Sequence, residues 1–278
     1  MDITEILMKL KINPAAIYTE IHGGMDCSVW KIDEPYGKQF ALRILPAERH
    51  AQFAKEQVSM NHALSKGVKV PAIQSVTLIG NHSVMLTDWV KGDTVFQFLL
   101  ERPDTAEALG IQFGSMQKEI HSISVQGFSL ENFQSWLLPA SDEEKETLDQ
   151  LSSVPFREKV LLHLDYHPLN VLSDGRRIAG VIDWPNASLG DFRFDLARTW
   201  SLIQFLKNRL HSDVQQTAAE NFEKGWIEGY ARQSQGEFSI DPLFRAWAGI
   251  RLIRDLAGSL TDKDLWMIQK WKSEAEEF

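Results

Sequence analysis

His163-Leu164-Asp165-Tyr166-His167-Pro168-Leu169-Asn170, followed by Gly180-Val181-Ile182-Asp183-Trp184, is the stretch that decides how this chain is read. Asp165 and Asn170 stand five positions apart on a segment that Pro168 keeps from closing into a helix, because proline lacks the N–H and crowds the preceding turn. Asp183 comes thirteen positions after Asn170, at the end of the short apolar run 178–182. A carboxylate and an amide carbonyl are hard oxygen donors of the kind Mg²⁺ takes alongside phosphate oxygens. A second carboxylate that the metal does not need can accept a proton from an attacking hydroxyl. Metal, positioning and base are what phosphoryl transfer requires.

Working outward, the first ~90 residues read as short strands with one helix. Residues 16–22 and 29–32 form two strands joined by a turn at Gly23-Gly24, and 39–45 forms a third that Pro46 ends. A helix over 47–66 follows, with Phe53, Gln57, Met60 and Leu64 at helical spacing and Gly67 as its stop. Runs 70–79 and 83–90 pair as a hairpin around Gly80-Asn81. Past a hinge near 87–93 the pattern turns helical. Segments 94–100 and 105–123 lead, and the acidic run 141–146 reads as a solvated helix start. Apolar runs 159–164 and 178–182 interrupt the helices, and from Leu196 onward almost everything is helix, with breaks near His211, 233–240 and Gly258.

The order of motifs resembles the aminoglycoside phosphotransferase family, relatives of protein kinases that phosphorylate hydroxyls of small molecules. That family carries a His-Gly-Asp-x-His-x-x-Asn loop, an Ile-Asp-Trp motif, and then Gly-Asp-x-x-x-Asp-Leu-Ala. This chain has His163, Asp165, His167 and Asn170, Ile182-Asp183-Trp184, and Gly190-Asp191-Phe192-Arg193-Phe194-Asp195-Leu196-Ala197, about 35 residues in the right order. The resemblance implies an α+β, bilobal protein-kinase-like fold: a small β-rich N-lobe at 1–90 that binds the nucleotide, and a larger helical C-lobe at 91–278. It makes Asp165 the base, Asn170 and Asp183 the Mg²⁺ ligands, and Asp191 and Asp195 the buried carboxylates that brace these loops. Leu164 and Leu169 depart from small residues of the pattern, and Pro185 replaces a common acidic residue. None of these removes a ligand or the base.

In the N-lobe the resemblance puts Gly23, Gly24 and Ser28 over the phosphates and Val29 over adenine. Arg43 takes the place of the usual strand lysine, forking between phosphate oxygens and a carboxylate. Glu56, thirteen positions on, is its partner, with Glu48 as the competing candidate. Backbone groups of Asp88, Trp89 and Val90 meet the adenine edge, with Met85 or Leu86 behind it. Because backbone recognition leaves little side-chain signature, ATP and GTP both stay open. His163 anchors its loop, while His167 either approaches phosphates or is structural.

The acceptor candidates line the helical lobe: Trp184, Asn186, Arg193, Trp200, Trp247, Arg251 and Asp255, the last three at spacing four on one helix face. Nine tryptophans are many for 278 residues, and most belong to the core. The net charge of −9 repels phosphate backbones, so nucleic acid is not an expected partner, and it suits a cationic small molecule. No run approaches a membrane span of ~18 apolar residues, and no secretory leader is evident. One cysteine, Cys27, allows no internal disulfide, so a cytoplasmic protein is expected. The implied function is Mg²⁺-dependent transfer of a nucleotide γ-phosphoryl to a hydroxyl of an aminoglycoside, sugar or amino alcohol. The competing readings are a nucleotide-binding module without turnover, and a nucleotidyl transferase on the same fold.

Overall fold

The computed structural model describes residues 3–21, 27–234 and 238–277. The chain forms two compact units, Met1–Lys91 with Gly180–Pro185, and Gly92–Ala179 with Asn186–Phe278. The sequence places a boundary at 90/91 but gives no sign that 180–185 joins the first unit. That assignment comes from long-range bonds: Val181 donates its N–H to the Lys69 carbonyl (2.8 Å), and Trp184 donates its N–H to Glu56 Oε1 (3.0 Å).

The first unit holds α1 (Ile3–Lys9), β1 (Ile17–Ile21), β2 (Ser28–Asp33), β3 (Gln39–Pro46), α2 (His50–Ser65), β4 (Ile73–Ile79) and β5 (His82–Asp88). The strands make one sheet, β1-β2-β3-β5-β4, whose pairs are all antiparallel. Alternation along β3 sorts its side chains onto two faces. Leu42 and Ile44 join Ile32, Val84 and Leu86 in a core that also takes Ile6 and Leu7 of α1. Leu45 lies on the other face, with Phe53 of α2 and with Met85. Among its described residues this unit therefore has two α-helices rather than one. A seven-residue helix is too short to stand alone in water, so its signal lies in burial against the sheet rather than in its own pattern. Gly80 turns the β4–β5 hairpin at φ +57°, a conformation that favours glycine.

The second unit holds β6 (Asp93–Thr94), α3 (Val95–Glu101), α4 (Ala106–His121), α5 (Asp142–Leu151), β7 (Lys159–Leu162) and β8 (Val171–Ser173). After β9 (Ile178–Val181), which runs across the boundary, come β10 (Ser188–Asp191), α6 (Phe192–Lys207), α7 (Asp213–Gln233), α8 (Pro242–Leu256) and α9 (Asp262–Glu276). Helices α4 and α7 approach closely because each presents two glycines four residues apart. A Cβ on Gly114 would sit 2.1 Å from the Trp226 carbonyl oxygen, and one on Gly229 2.0 Å from that of Ile111. The acidic run starts α5, with Ser141 as a cap accepting from the Glu144 N–H. β10 pairs antiparallel with β7, bringing Asp191 opposite Lys159. Leu202, Leu252, Ile268 and Trp271 join α6, α8 and α9 in a further core.

Candidate functional site

In the first unit, register puts Val29, Arg43 and Met85 directly opposite one another on β2, β3 and β5, so they share one sheet face. Arg43 donates from Nη1 to Glu56 Oε1 (2.5 Å) and from Nη2 to Asp183 Oδ1 (2.8 Å). Glu56 Oε1 also accepts the Trp184 N–H, so α2 holds both the arginine and the turn that carries Asp183. Glu56 is fully buried and Glu48 exposed, which settles the geometry of the pair in favour of Glu56. Burial opposes the Arg43 charge, but the two carboxylates outweigh it and hold the guanidinium above its ordinary pKa. Burial pushes the Glu56 carboxyl up against the pull of Arg43, and among the described residues its buried Oε2 has no hydrogen-bond partner. Asp183 adopts φ +67°, an uncommon left-handed conformation for a non-glycine residue, and its side chain is 41% exposed.

Ser28 is exposed at the start of β2, and Gly23 and Gly24 lie outside the described residues. In the segment after β5, Asp88 donates its N–H to the Ala72 carbonyl and Trp89 donates its N–H to the Gln39 carbonyl. These two donors are spent within the fold. Among the described residues the Val90 N–H has no such bond, which narrows the expected 88–90 contact to carbonyls and that one donor.

In the second unit, the 163–170 loop is built on short bonds of its own. Asn170 Nδ2 donates to both the Asp165 carbonyl (3.0 Å) and Asp165 Oδ2 (2.9 Å), so Asp165 Oδ1 and Asn170 Oδ1 are engaged in neither contact. His163 Nδ1 accepts the Asp165 N–H, and His167 Nδ1 accepts the Leu169 N–H, so both imidazoles hold the loop backbone. His167 Nε2 lies 3.6 Å from Asp165 Oδ2. Burial alone would raise the Asp165 carboxyl, but His167, Arg198 and His163 outweigh it and hold the group at about 2. Leu164 stands at φ +63°, which gives a physical reason for glycine at this place in the pattern. Here the left-handed residue is a fully buried leucine whose N–H donates to Asp195 Oδ1.

Asp195 is the centre of a buried polar network that also takes in α4 and α7. Its Oδ2 meets His121 Nε2 (2.8 Å) and accepts from Gln117 Nε2 (3.2 Å), and His121 Nδ1 meets the Tyr230 hydroxyl (2.9 Å). Asp191 caps α6, accepts from the N–H groups of Arg193 and Arg157, and pairs with the Arg193 guanidinium. The sequence pattern reached Asp191 and Asp195 but missed Gln117 and His121, polar residues on the largely apolar buried face of α4, and Arg198, whose helix buries several polar residues together.

Three of the expected acceptor residues are core instead. Trp184 is buried in the first unit, where its indole donates to the Val181 carbonyl. Trp247 is buried in the second, and Arg251 spends its Nη groups on the carbonyls of Trp136, Leu137 and Leu138. A helix face at spacing four thus turned inward, because stacked tryptophan and arginine cover one another. Arg193 is tied to Asp191, while Asp255 is partly exposed and accepts from Arg198.

Among the described residues no three His, Cys, Asp or Glu side chains gather as a metal cage. Asn170 and Asp183 offer one amide oxygen and one carboxylate. Each, taken by itself in its own unit, is a hard oxygen donor of the type Mg²⁺ accepts beside waters and substrate phosphates. No helix of the described residues is long and apolar enough to cross a membrane.

The sequence profile of the phosphotransferase enzyme family matches residues 17–235. An aminoglycoside 3'-phosphotransferase of Salmonella typhimurium is 26% identical over 198 residues, covering 62% of this chain and 73% of that protein. Among solved structures, a thermostable mutant of aminoglycoside phosphotransferase APH(4)-Ia, in ternary complex with AMP-PNP and hygromycin B, aligns with TM-score 0.67 at 14% identity, covering 99% of this chain and 97% of that one. The amicoumacin kinase hAmiN, in complex with AMP-PNP, Ca²⁺ and Ami, aligns with TM-score 0.66 at 16% identity, covering 100% and 94%. At such identities the structural likeness establishes the fold, which is kinase-like and α+β.

Proposed function

The chain belongs to the phosphotransferase enzyme family, and from that premise we propose that it transfers the γ-phosphoryl group of ATP to a hydroxyl of a small molecule. Asp165 accepts the hydroxyl proton as the acceptor oxygen bonds to the γ-phosphorus, and the bond to the bridging oxygen breaks to release ADP. The observation that carries this reading is the Asn170–Asp165 pair. One amide spends its nitrogen on the carboxylate and its carbonyl, which fixes Asp165 and keeps Asn170 Oδ1 for a cation. Held at about 2, the Asp165 carboxyl is ionised and ready to accept a proton at neutral pH.

Asn170 and Asp183 would hold Mg²⁺, which when bound neutralises charge developing on the phosphates. Arg43, oriented by Glu56, holds the α- and β-phosphates; Val29 and Met85 border the adenine, and Val90 with the carbonyls of 88–90 reads its edge. Ser28, at the exposed start of β2, covers the phosphates. The relatives' complexes with AMP-PNP support a nucleotide donor.

The test is a coupled ADP-release assay with MgATP across hydroxyl compounds, joined to melting curves with and without MgATP. At ~100 times its Kd the nucleotide should stabilise the fold by about 2.7 kcal/mol. No Mg²⁺-dependent nucleotide shift and no ADP release would overturn the reading. A product heavier by a nucleotide rather than a phosphate would replace it with nucleotidyl transfer.

A further inference from the structure

Arg198 lies on α6, one turn beyond Asp195, the residue that holds the Leu164 N–H beside Asp165. It is 2% exposed, and only its Nη2 is engaged, donating to Asp255 Oδ2 (2.6 Å). Among the described residues its Nε and Nη1, both buried, have no hydrogen-bond partner. A buried, charged donor left unmade is costly, so a site with two of them on one guanidinium calls for an acceptor.

The surroundings bear on the charge of that acceptor. Arg198, Arg251 and Arg254 all stack on Trp136, at 5.3, 4.6 and 4.5 Å from its ring centre. Against these three guanidiniums stand two carboxylates. Glu144 lies 3.3 Å from Arg251 and 3.6 Å from Arg254, and Asp255 is shared between Arg198 and Arg254. The cluster opens toward solvent at Arg254 and Asp255, whose side chains are 25% and 24% exposed. Arg198 is also within electrostatic reach of Asp165. With Asp165 counted, three carboxylates stand against three guanidiniums, so it is the unspent donors of Arg198 that select an acidic group.

Resting on the phosphotransferase reading above, we propose that this cluster is an anion-binding acceptor subsite. The phosphorylated compound is then a small hydroxylated acid, its carboxylate or other acidic group taken by Arg198 and Arg254 while its hydroxyl faces Asp165. This replaces the cationic acceptor that the net charge of −9 suggests, because the donors that matter are local.

The experiment compares acceptors that differ chiefly in charge, with MgATP and ADP release as readout: glycerate and 4-hydroxybutyrate against glycerol, choline and an aminoglycoside. Transfer is expected to the acids, with KM at least tenfold below that for any uncharged or cationic acceptor. Arg254→Gln and Arg198→Lys should each raise the acceptor KM at least tenfold and leave the KM for ATP unchanged. Arg254 is partly exposed, so its variant keeps the test sound if changes at Arg198 impair folding. Transfer only to uncharged or cationic acceptors, no transfer to any acid, or unchanged acceptor KM in both variants overturns the anion subsite. Each of these leaves the phosphotransferase reading standing, provided MgATP still raises the melting temperature. Loss of that MgATP shift in the wild type overturns the underlying reading instead.

Discussion

The main-chain N–H of Leu164 donates to Oδ1 of Asp195 at 2.5 Å, tying the residue before Asp165 to the first turn of α6. The bond stands where the backbone is left-handed, at φ +63°. A conformation that disfavours leucine is held by a buried carboxylate, which is itself fixed by His121 and Gln117.

Asp195→Asn is therefore expected to damage the loop without touching a ligand. An amide must set its NH₂ against either the Leu164 N–H or the donors from α4, leaving a buried group unmatched. Stability should fall by about 1–3 kcal/mol. Turnover should fall as Asp165 shifts, with the KM for ATP nearly unchanged. A melt and kcat both at wild-type values would contradict this role.

Arg43 balances two carboxylates, so its loss should show in both stability and kinetics. Arg43→Ala leaves Glu56 buried without its counter-charge, at a cost of about 3–5 kcal/mol. It should also raise the KM for ATP and lower kcat, while Arg43→Lys keeps part of the activity because the charge survives. Adding Glu56→Gln to Arg43→Ala should restore much of the melting temperature and none of the activity. Kinetics of Arg43→Ala equal to wild type would remove the phosphate-holding role.

Asp165→Asn keeps shape but cannot take a proton, and should cost on the order of 10²- to 10⁴-fold in kcat. MgATP should still stabilise this variant, whereas Asp183→Ala should lose most of the Mg²⁺-dependent shift along with turnover. Wild-type turnover in Asp165→Asn would dismiss it as the base.

The pH dependence follows from the sign of the Asp165 shift. The folded carboxyl lies at about 2, below the ~3.9 of an unfolded aspartate. Its contribution to stability is thus present above pH ~4 and is lost as the pH falls through about 2. With an acceptor that does not itself titrate, kcat/KM should show no acid limb from Asp165 between about pH 5 and 8. A limb centred near 6 that tracked its ionisation would contradict the assignment.

The α4–α7 contact offers a test away from the chemistry. Gly114→Ala would set a Cβ 2.1 Å from the Trp226 carbonyl oxygen and should cost about 1–3 kcal/mol, lowering Tm by roughly 2–4 °C per kcal/mol. Gly258→Ala, whose Cβ meets nothing within 4 Å, is the control and should leave Tm almost unchanged. Equal melts for the two variants would mean the helices separate freely.

The sequence by itself determined the family, the α+β order of elements and the Asp165, Asn170 and Asp183 motif, because all of these are written in short-range spacing. Strand alternation and helical periodicity are local, as are Pro168 and the glycine stops. Pairing Arg43 with Glu56 was implied by the resemblance with Glu48 as the competitor, and burial of Glu56 against an exposed Glu48 decided between them. What tertiary structure alone decided is burial. It sent Trp184, Trp247 and Arg251 into the core, made Asp183 part of the first unit, and formed α1 from seven residues too few to hold a helix unaided. It also gathered Gln117, His121 and Tyr230 around Asp195, and Arg198 and Arg254 around Trp136. Those partners lie tens of residues apart in the chain, and their charges act only over the few ångströms to which folding brings them.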